Sequence, residues 1–274
     1  MMTENLLICP VCRETLLWED KRIFCSKGHS FDKAKEGYFY LITKQGYSLS
    51  GDSAESVRAR REFLNSGYYS VLAKSLVESV EKYGKKQDVL TDACCGEGYY
   101  SGCIKKNSSL ELTVTGFDLS KSAVKLAAKA YPENLFYTAN ISSIPQKTSS
   151  ADILLHSFAP VHNEEFSRIL KKDGLLIDVI PSKRHLWQLK EVLYEKPYEN
   201  DEKSSVGEPF RQIESIIVTD TVVLDKNGVK NVLFMTPYAY KTAETAEKKL
   251  LELDSLTTEI GFVINIYRNT KDAF

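Results

Sequence analysis

The sequence has no run of about eighteen apolar residues, so no helix is expected to span a membrane. It also has no excess of one charge: 36 Lys and Arg stand against 37 Asp and Glu, a formal net charge of −1. Such a chain does not hold nucleic acid through bulk charge, and any such contact must rest on local patches. The opening residues Met1-Met2-Thr3-Glu4-Asn5 have neither the basic nor the apolar region of a secretory leader, and a cytoplasmic location is expected. What remains is an ordinary globular composition, 43% hydrophobic over 274 residues. That length suits one large domain, or a small one joined to a medium one.

Cysteine and histidine are scarce, which makes their grouping informative. Three of the six cysteines and one of the four histidines fall at Cys9, Cys12, Cys25 and His29. In a cytosolic setting this spacing favours metal over disulfides. Two short turns, Cys9-Pro10-Val11-Cys12 and Cys25-Ser26-Lys27-Gly28-His29, would each present two ligands to one tetrahedral zinc. Leu16-Leu17-Trp18 and Lys21-Arg22-Ile23-Phe24 between them read as a hairpin, hence a zinc ribbon. Four protein ligands close the site, so the zinc is expected to be structural. The next stretch, Phe31 to Leu41, mixes aromatics with lysines. Two readings stay open for it: a surface that stacks on unpaired bases, or packing of the ribbon against the next domain.

Residues 43–56 are rich in Ser, Gly and Gln and read as a linker, placing a ribbon domain at 1–46 and a second domain at 47–274. A helix is expected from about Asp52 or Ser53 through Leu64, carrying Arg58, Arg60 and Arg61, which either meet phosphate or form a solvated face. A second helix is expected from about Val71 to Tyr83.

From residue 87 strands and helices alternate. Strands are expected at Asp88–Ala93, Leu112–Asp118, Leu135–Ala139, Ala151–Ser157 and Leu175–Ile180. Helices are expected from near Tyr99, at Lys121–Ala130 and at Asn163–Leu170. This is the pattern of an α/β, doubly wound, mostly parallel sheet, which binds ligands at the carboxyl ends of its strands. The first turn, Asp92-Ala93-Cys94-Cys95-Gly96-Glu97-Gly98, lacks the Gly-x-Gly-x-x-Gly of a dinucleotide site. Its acids Asp92 and Glu97 would repel a pyrophosphate. Asp118, ending the second strand, is placed to accept from ribose hydroxyls. A nucleoside with a cationic end fits better, and S-adenosylmethionine is such a cofactor. Cys94 stands where methyltransferases of this fold usually carry glycine. Cys94 and Cys95 read as small packing residues, since nothing basic nearby in sequence would activate them. The C-terminal part is expected to give strands at Ile213–Val223, Asn231–Met235 and Phe262–Tyr267, and a helix at Glu244–Leu253.

These motifs together resemble the RlmA family. The resemblance is carried by Cys9/Cys12/Cys25/His29, Phe31-Asp32-Lys33-Ala34-Lys35-Glu36-Gly37-Tyr38, Gly51 to Glu55, Ala59 to Leu64, Cys95-Gly96-Glu97-Gly98-Tyr99-Tyr100 and Arg184-His185-Leu186. It thins after about Asn200. It implies a class I methyltransferase domain behind a zinc ribbon, and methylation of N1 of a guanine in a hairpin of 23S rRNA. It implies zinc ligands at Cys9, Cys12, Cys25 and His29, S-adenosylmethionine contacts at Tyr69, Gly96, Glu97 and His185, and a homodimer. The segment Phe158 to Phe166 resembles the Gram-positive branch, which contributes to macrolide resistance. Methylating guanine N1 also requires somewhere for its proton to go: His156, Asp178 and His185 are the candidate acceptors, with release to water as the alternative; His156, on an apolar strand, also reads as a core histidine, and Phe158 either stacks on the base or caps the core. Two rival readings remain: a non-catalytic zinc-ribbon RNA-binding protein, and a small-molecule methyltransferase with an accessory ribbon.

Overall fold

The computed structural model describes residues 6–43, 52–240 and 243–271. The expected break between the two domains at 46/47, and most of the expected linker, lie outside the described residues.

The ribbon is built from β1 (Leu17–Trp18), β2 (Arg22–Phe24) and β3 (Ser30–Asp32), paired antiparallel in that order. The expected hairpin is therefore present, with a third strand. The chain then runs into β4 (Phe39–Tyr40), which leaves the ribbon and pairs parallel with a strand of the main sheet. Tyr38, Phe39 and Leu41 are buried, which decides for packing at these three residues of the Phe31–Leu41 stretch; Tyr40 remains exposed.

Helix α1 (Ala54–Asn65) starts where Ser53 Oγ accepts from the Ser56 N–H at 3.0 Å. After Gly67 the chain turns into α2 (Ser70–Tyr83), whose Leu72, Leu76 and Val80 face the core. The alternating region follows as β5 (Val89–Ala93), α3 (Tyr99–Asn107), β6 (Thr113–Asp118), α4 (Lys121–Ala130), β7 (Leu135–Thr138), β8 (Ala151–Ser157), α5 (Asn163–Ile169), β9 (Leu170–Pro181) and α6 (Trp187–Leu193). A long hairpin, β10 (Phe210–Asp225) and β11 (Ser255–Asn269), encloses α7 (Lys226–Met235), a short turn of 3-10 helix and α8 (Glu244–Leu251).

The expected strand at Asn231–Met235 is instead the second half of α7. Asp225 caps that helix, accepting from the Gly228 N–H at 2.7 Å, and Val229, Val232 and Leu233 form a buried stripe at helical spacing. A short apolar run alone does not separate strand from helix, and here the cap decides.

The main sheet has eight strands in the order β10-β11-β9-β8-β5-β6-β7-β4. The β4 to β9 part is parallel, while β11 runs antiparallel to both neighbours. The order reverses at β5, which has β6 on one side and β8 on the other, so the ligand crevice opens above β5. One row of the register runs Phe39, Tyr137, Phe117, Ala93, His156, Asp178 along the carboxyl ends.

Two apolar layers sandwich the sheet. One joins α1, α2, α6 and α7 to it through Phe63, Leu72, Leu189 and Val229. The other mixes the ribbon's Leu7, Leu16, Ile23 and Phe39 with Phe117 and Tyr137 of the sheet and Phe166 of α5. Among the described residues no helix is long and apolar enough to cross a membrane.

Candidate functional site

The metal cluster comes first in the chain. The ligand atoms of Cys9, Cys12, Cys25 and His29 all lie within 4.8 Å of one another. Cys12 Sγ is 3.6 Å from Cys25 Sγ, and His29 Nδ1 is 3.3 Å from Cys25 Sγ and 3.7 Å from Cys9 Sγ. Zn–S bonds of about 2.3 Å in tetrahedral array give S–S edges near 3.8 Å. Three sulfurs and an imidazole at these separations fit zinc. Gly28, at φ +84°, makes the second turn, and its N–H bonds the Cys25 carbonyl at 3.0 Å. Burial opposes ionisation of Cys25, yet hydrogen bonds from His29, Cys12 and Lys27 bring its thiol down to about 6, which favours the thiolate a metal needs.

The second cluster surrounds the turn after β5. Cys94 sits at φ +58° and Gly96 at +55°, both left-handed. Gly98, at +77°, begins α3; a Cβ there would lie 3.0 Å from the Phe136 ring. The usual glycine at the position of Cys94 is thereby explained by backbone conformation. Burial raises the thiols of Cys94 and Cys95, and the neighbouring carboxylates raise them further, so neither is a thiolate nucleophile.

Asp118 reaches across to this turn. Its Oδ2 accepts from the Gly96 N–H at 2.9 Å and its Oδ1 from the Ser120 N–H at 2.7 Å. Each oxygen keeps a lone pair for a hydroxyl. Burial pushes Asp92 up to about 7, with Ser101 pulling the other way. Glu97 is 3% exposed, its Oε2 takes the Arg61 guanidinium at 2.9 Å, and its Oε1 is buried with no partner. Burial pushes Glu97 too up to about 7 despite Arg61 and Arg60. A buried carboxylate with one oxygen unpaired is a seat for a cation.

This accounts for two of the three α1 arginines. Arg61 binds Glu97, while Arg60 pairs with Asp52 and donates to the Met235 carbonyl at 3.3 Å. Only Arg58 stands exposed, as a solvated face would have it. The use of Arg61 was missed by sequence reasoning, although the arginine run was its signal.

Tyr69 and His185 are brought to each other. Tyr69 Oη lies 3.0 Å from His185 Nε2, and His185 Nδ1 accepts from the Gly261 N–H at 3.2 Å. That donor fixes the proton on Nε2, and burial, with Lys190 nearby, lowers His185 to about 3. His185 is thus neutral with both nitrogens engaged, which removes it as a proton acceptor. Gly261 and its role carried no signal in the sequence.

His156 differs. Its Nδ1 is 2.7 Å from Asp178 Oδ1, and its Nε2 is buried without a partner. Asp178 Oδ2 accepts from Ser204 Oγ at 2.6 Å. Phe158, just beyond, is 45% exposed at φ +57°.

Comparison with known proteins gives two family matches. Residues 7–46 match the model described as RlmA, N-terminal, a zinc ribbon, and residues 91–178 match a methyltransferase domain. A Micromonospora griseorubida protein provisionally named a 23S rRNA (guanine-N1)-methyltransferase is 30% identical over 202 residues, 67% of this chain and 68% of its own. The 23S rRNA (guanine(748)-N1)-methyltransferase of Streptomyces fradiae is 26% identical over 94% of this chain and 95% of its own. A Bacillus subtilis protein bearing the same provisional name, YxjB, is 27% identical over 96% of this chain and 97% of its own. Among solved structures, the complex of the Haloferax volcanii Trm112 activator with a methyltransferase aligns with TM-score 0.51 at 14% identity, over 81% of this chain and 96% of that one.

Proposed function

The chain belongs to the RlmA family of 23S rRNA (guanine-N1)-methyltransferases, and on that footing we propose that it methylates N1 of a guanine in a hairpin of 23S rRNA, using S-adenosylmethionine. The observation that carries the reading is the turn after β5, where Glu97 keeps an unpaired buried oxygen and Asp118 bonds the Gly96 N–H.

S-adenosylmethionine, when bound, supplies an electrophilic methyl group on a sulfonium. The residues that would hold it are Gly96, Glu97 and Asp118, with Tyr69 and His185 in the adjoining wall. Asp118 offers its remaining lone pairs to ribose hydroxyls, and the Gly96 N–H holds that carboxylate in place. Glu97 Oε1 is left to accept from an ammonium, while Arg61 anchors the other oxygen. Tyr69 and His185 pair with one another near Arg60, which itself lies 3.7 Å from where a Gly96 Cβ would stand. Phe158 presents an exposed ring beyond β8 on which an extruded guanine can stack. Displacement at the methyl group is in-line, so holding donor and base in register supplies much of the acceleration.

Zinc, when bound by Cys9, Cys12, Cys25 and His29, supplies structure only: all four donors come from the protein, leaving no position for substrate. Cytoplasmic location, a homodimer, the division into domains at 46/47 and an effect on macrolide susceptibility in the Gram-positive manner belong to the same proposal.

The test is methyl transfer onto unmodified 23S rRNA, read by reverse transcription. N1-methylguanine blocks pairing, so a new stop at one guanine of a hairpin is the expected result. Cofactor binding without methyl transfer would favour the RNA-binding rival. Transfer to a small molecule and none to RNA would favour the other.

A further inference from the structure

The geometry points to His156 Nε2 as the acceptor of the proton that guanine N1 loses on methylation. This rests on the functional reading above and names a catalytic residue within it.

The chemistry sets the requirement. Guanine N1 carries a proton, and an N1–CH3 bond forms as the S–CH3 bond breaks. The sulfonium charge is thereby cancelled, and the N1 proton must leave to a base. A neutral imidazole that takes it becomes imidazolium, which balances the step: one cation in, one cation out.

Of the three candidates at the strand ends, one has a ring nitrogen without a partner. His185 has both nitrogens engaged, and its proton is fixed on Nε2. Asp178 accepts once on each oxygen, from His156 Nδ1 and from Ser204 Oγ, and serves as the partner that fixes the His156 tautomer. In His156, Asp178 takes the Nδ1–H at 2.7 Å, so the lone pair is on Nε2, and that atom has no partner. A carboxylate that fixes the tautomer and stabilises the imidazolium is the arrangement a general base requires.

Position supports the assignment. His156 is in register with Ala93, the last residue of β5 before the cofactor turn. Its backbone therefore lies about 4.8 Å, one strand spacing, from the start of that turn. The same short stretch holds two more buried polar atoms without partners, Ser157 Oγ and His162 Nδ1. An unmet buried atom such as His156 Nε2 costs about 1–3 kcal/mol, which a polar ligand would recover; Ser157, the next residue of β8, faces the other side of the sheet. His156 is 1% exposed, so the residues packed on it must shift for a base edge to reach it. Phe158, two residues on, is left-handed and exposed, its ring 5.9 Å from that of Phe262.

The groups facing His156 are few. β9 presents Asp178, with Ser204 behind it; Tyr267 of β11 stands near Asp178; α5 presents the Phe166 ring, 5.1 Å from the imidazole. Asp178 is the carboxylate that sets the tautomer.

Single-turnover methylation of a 23S rRNA transcript is measured against pH for wild type, His156→Gln and Asp178→Asn, with cofactor affinity and melting temperature recorded for each. At neutral pH His156→Gln should lose about 100- to 10,000-fold in rate with cofactor affinity retained. Its rate should then climb tenfold per pH unit as guanine N1 ionises unaided, narrowing the gap to wild type. Asp178→Asn, which keeps the shape of the pair, should show the same climb. On the cofactor-free protein, nitrogen NMR of histidine should find Nδ1 protonated and Nε2 bare in the residue lost in His156→Gln. Variants that match wild type, or that fall by one constant factor at every pH, overturn the assignment, as does a proton on Nε2. A wild type that produces no reverse-transcription stop defeats the functional reading, and this assignment with it; a stop in wild type with unaltered variants defeats the assignment alone.

Discussion

Binding of S-adenosylmethionine should be coupled to proton release from Glu97. Burial holds this carboxyl at about 7, well above its ordinary 4.5. An ammonium needs the carboxylate, so the observed affinity scales with the ionised fraction. With a value of about 7, that fraction rises about tenfold between pH 6 and pH 8, or about 1.4 kcal/mol in binding. Asp92, also held at about 7 and fully buried, adds to the slope where the cofactor's positive charge reaches it. The sign for the free protein is the opposite one. An acid whose folded value is raised contributes stability below its unfolded value, and that contribution is lost as pH rises through about 7. Calorimetric titration at pH 6, 7 and 8, in buffers of different ionisation enthalpy, reads both affinity and protons released. Wild type should bind about tenfold or more tightly at pH 8 than at pH 6 and release close to one proton at pH 6. Glu97→Gln should bind weakly at pH 8 and lose one proton's share of the slope. An affinity flat across this range in wild type, or a Glu97→Gln slope equal to wild type, would refute the reasoning.

Cys25→Ser should reduce zinc from one per chain to well below one by atomic absorption, and a chelator should do the same to wild type with a fall in melting temperature. Retention of one zinc in the variant would contradict the ligand set. Cys94→Gly should change stability by no more than about 1 kcal/mol, because relief of the left-handed backbone and the greater freedom of glycine in the unfolded chain oppose each other. Cys94→Val, a branched residue in that conformation, should cost about 1–2 kcal/mol in urea unfolding. Tyr69→Phe should cost about 1–3 kcal/mol by leaving the buried His185 Nε2–H unmet. His185→Ala should cost more and also weaken S-adenosylmethionine binding, and wild-type affinity in that variant would remove Tyr69 and His185 from the cofactor wall.

The alternating core was legible because its signals are local. Ser53, Ser120 and Asp225 cap their helices within three residues, and the strands β5 to β8 are short apolar runs ending at turns. The metal ligands were legible because two tight turns fix their spacing. Asn231–Met235 was misread as a strand because the run is apolar and only the Asp225 cap, six residues before it, reveals the helix. The site's finer structure was hidden because it is assembled over long range. His156 meets Asp178 across two strands, Asp178 meets Ser204 from a later loop, and His185 takes its tautomer from Gly261 on β11. A residue's sequence neighbours carry no trace of such partners. The choice among His156, Asp178 and His185 could therefore be made only from the folded chain.

The ribbon is not a basic module hung on a methyltransferase. Residues 6–43 carry six Lys and Arg against five Asp and Glu, so counterion release from this part alone can add little to RNA affinity. Two of its cations are paired within it, Arg22 with Glu19 at 2.7 Å and Lys27 with Glu14 at 3.4 Å. What the ribbon does contribute is a strand. β4 extends the main sheet past β7, and the Leu41 N–H donates to Thr138 Oγ1 at 3.0 Å just beyond it. Phe39 goes into the shared core, packing edge-on against Trp18 of the ribbon with centroids 5.3 Å apart. Tyr40, the next residue, alternates outward and stands 40% exposed with Lys121 Nζ over its ring at 5.6 Å. It lies in register with Thr138 and Asp118, at the level of the cofactor turn. Four strand steps along the same rim stands Phe158, about 19 Å away by strand spacing. An exposed aromatic thus stands on each side of β5 along this rim, one supplied by the ribbon and one by the β8–α5 loop. Zinc, when bound, would act on this arrangement at a distance: by fixing the turns before β3, it would set where the chain enters β4, and with it where Tyr40 stands on the rim.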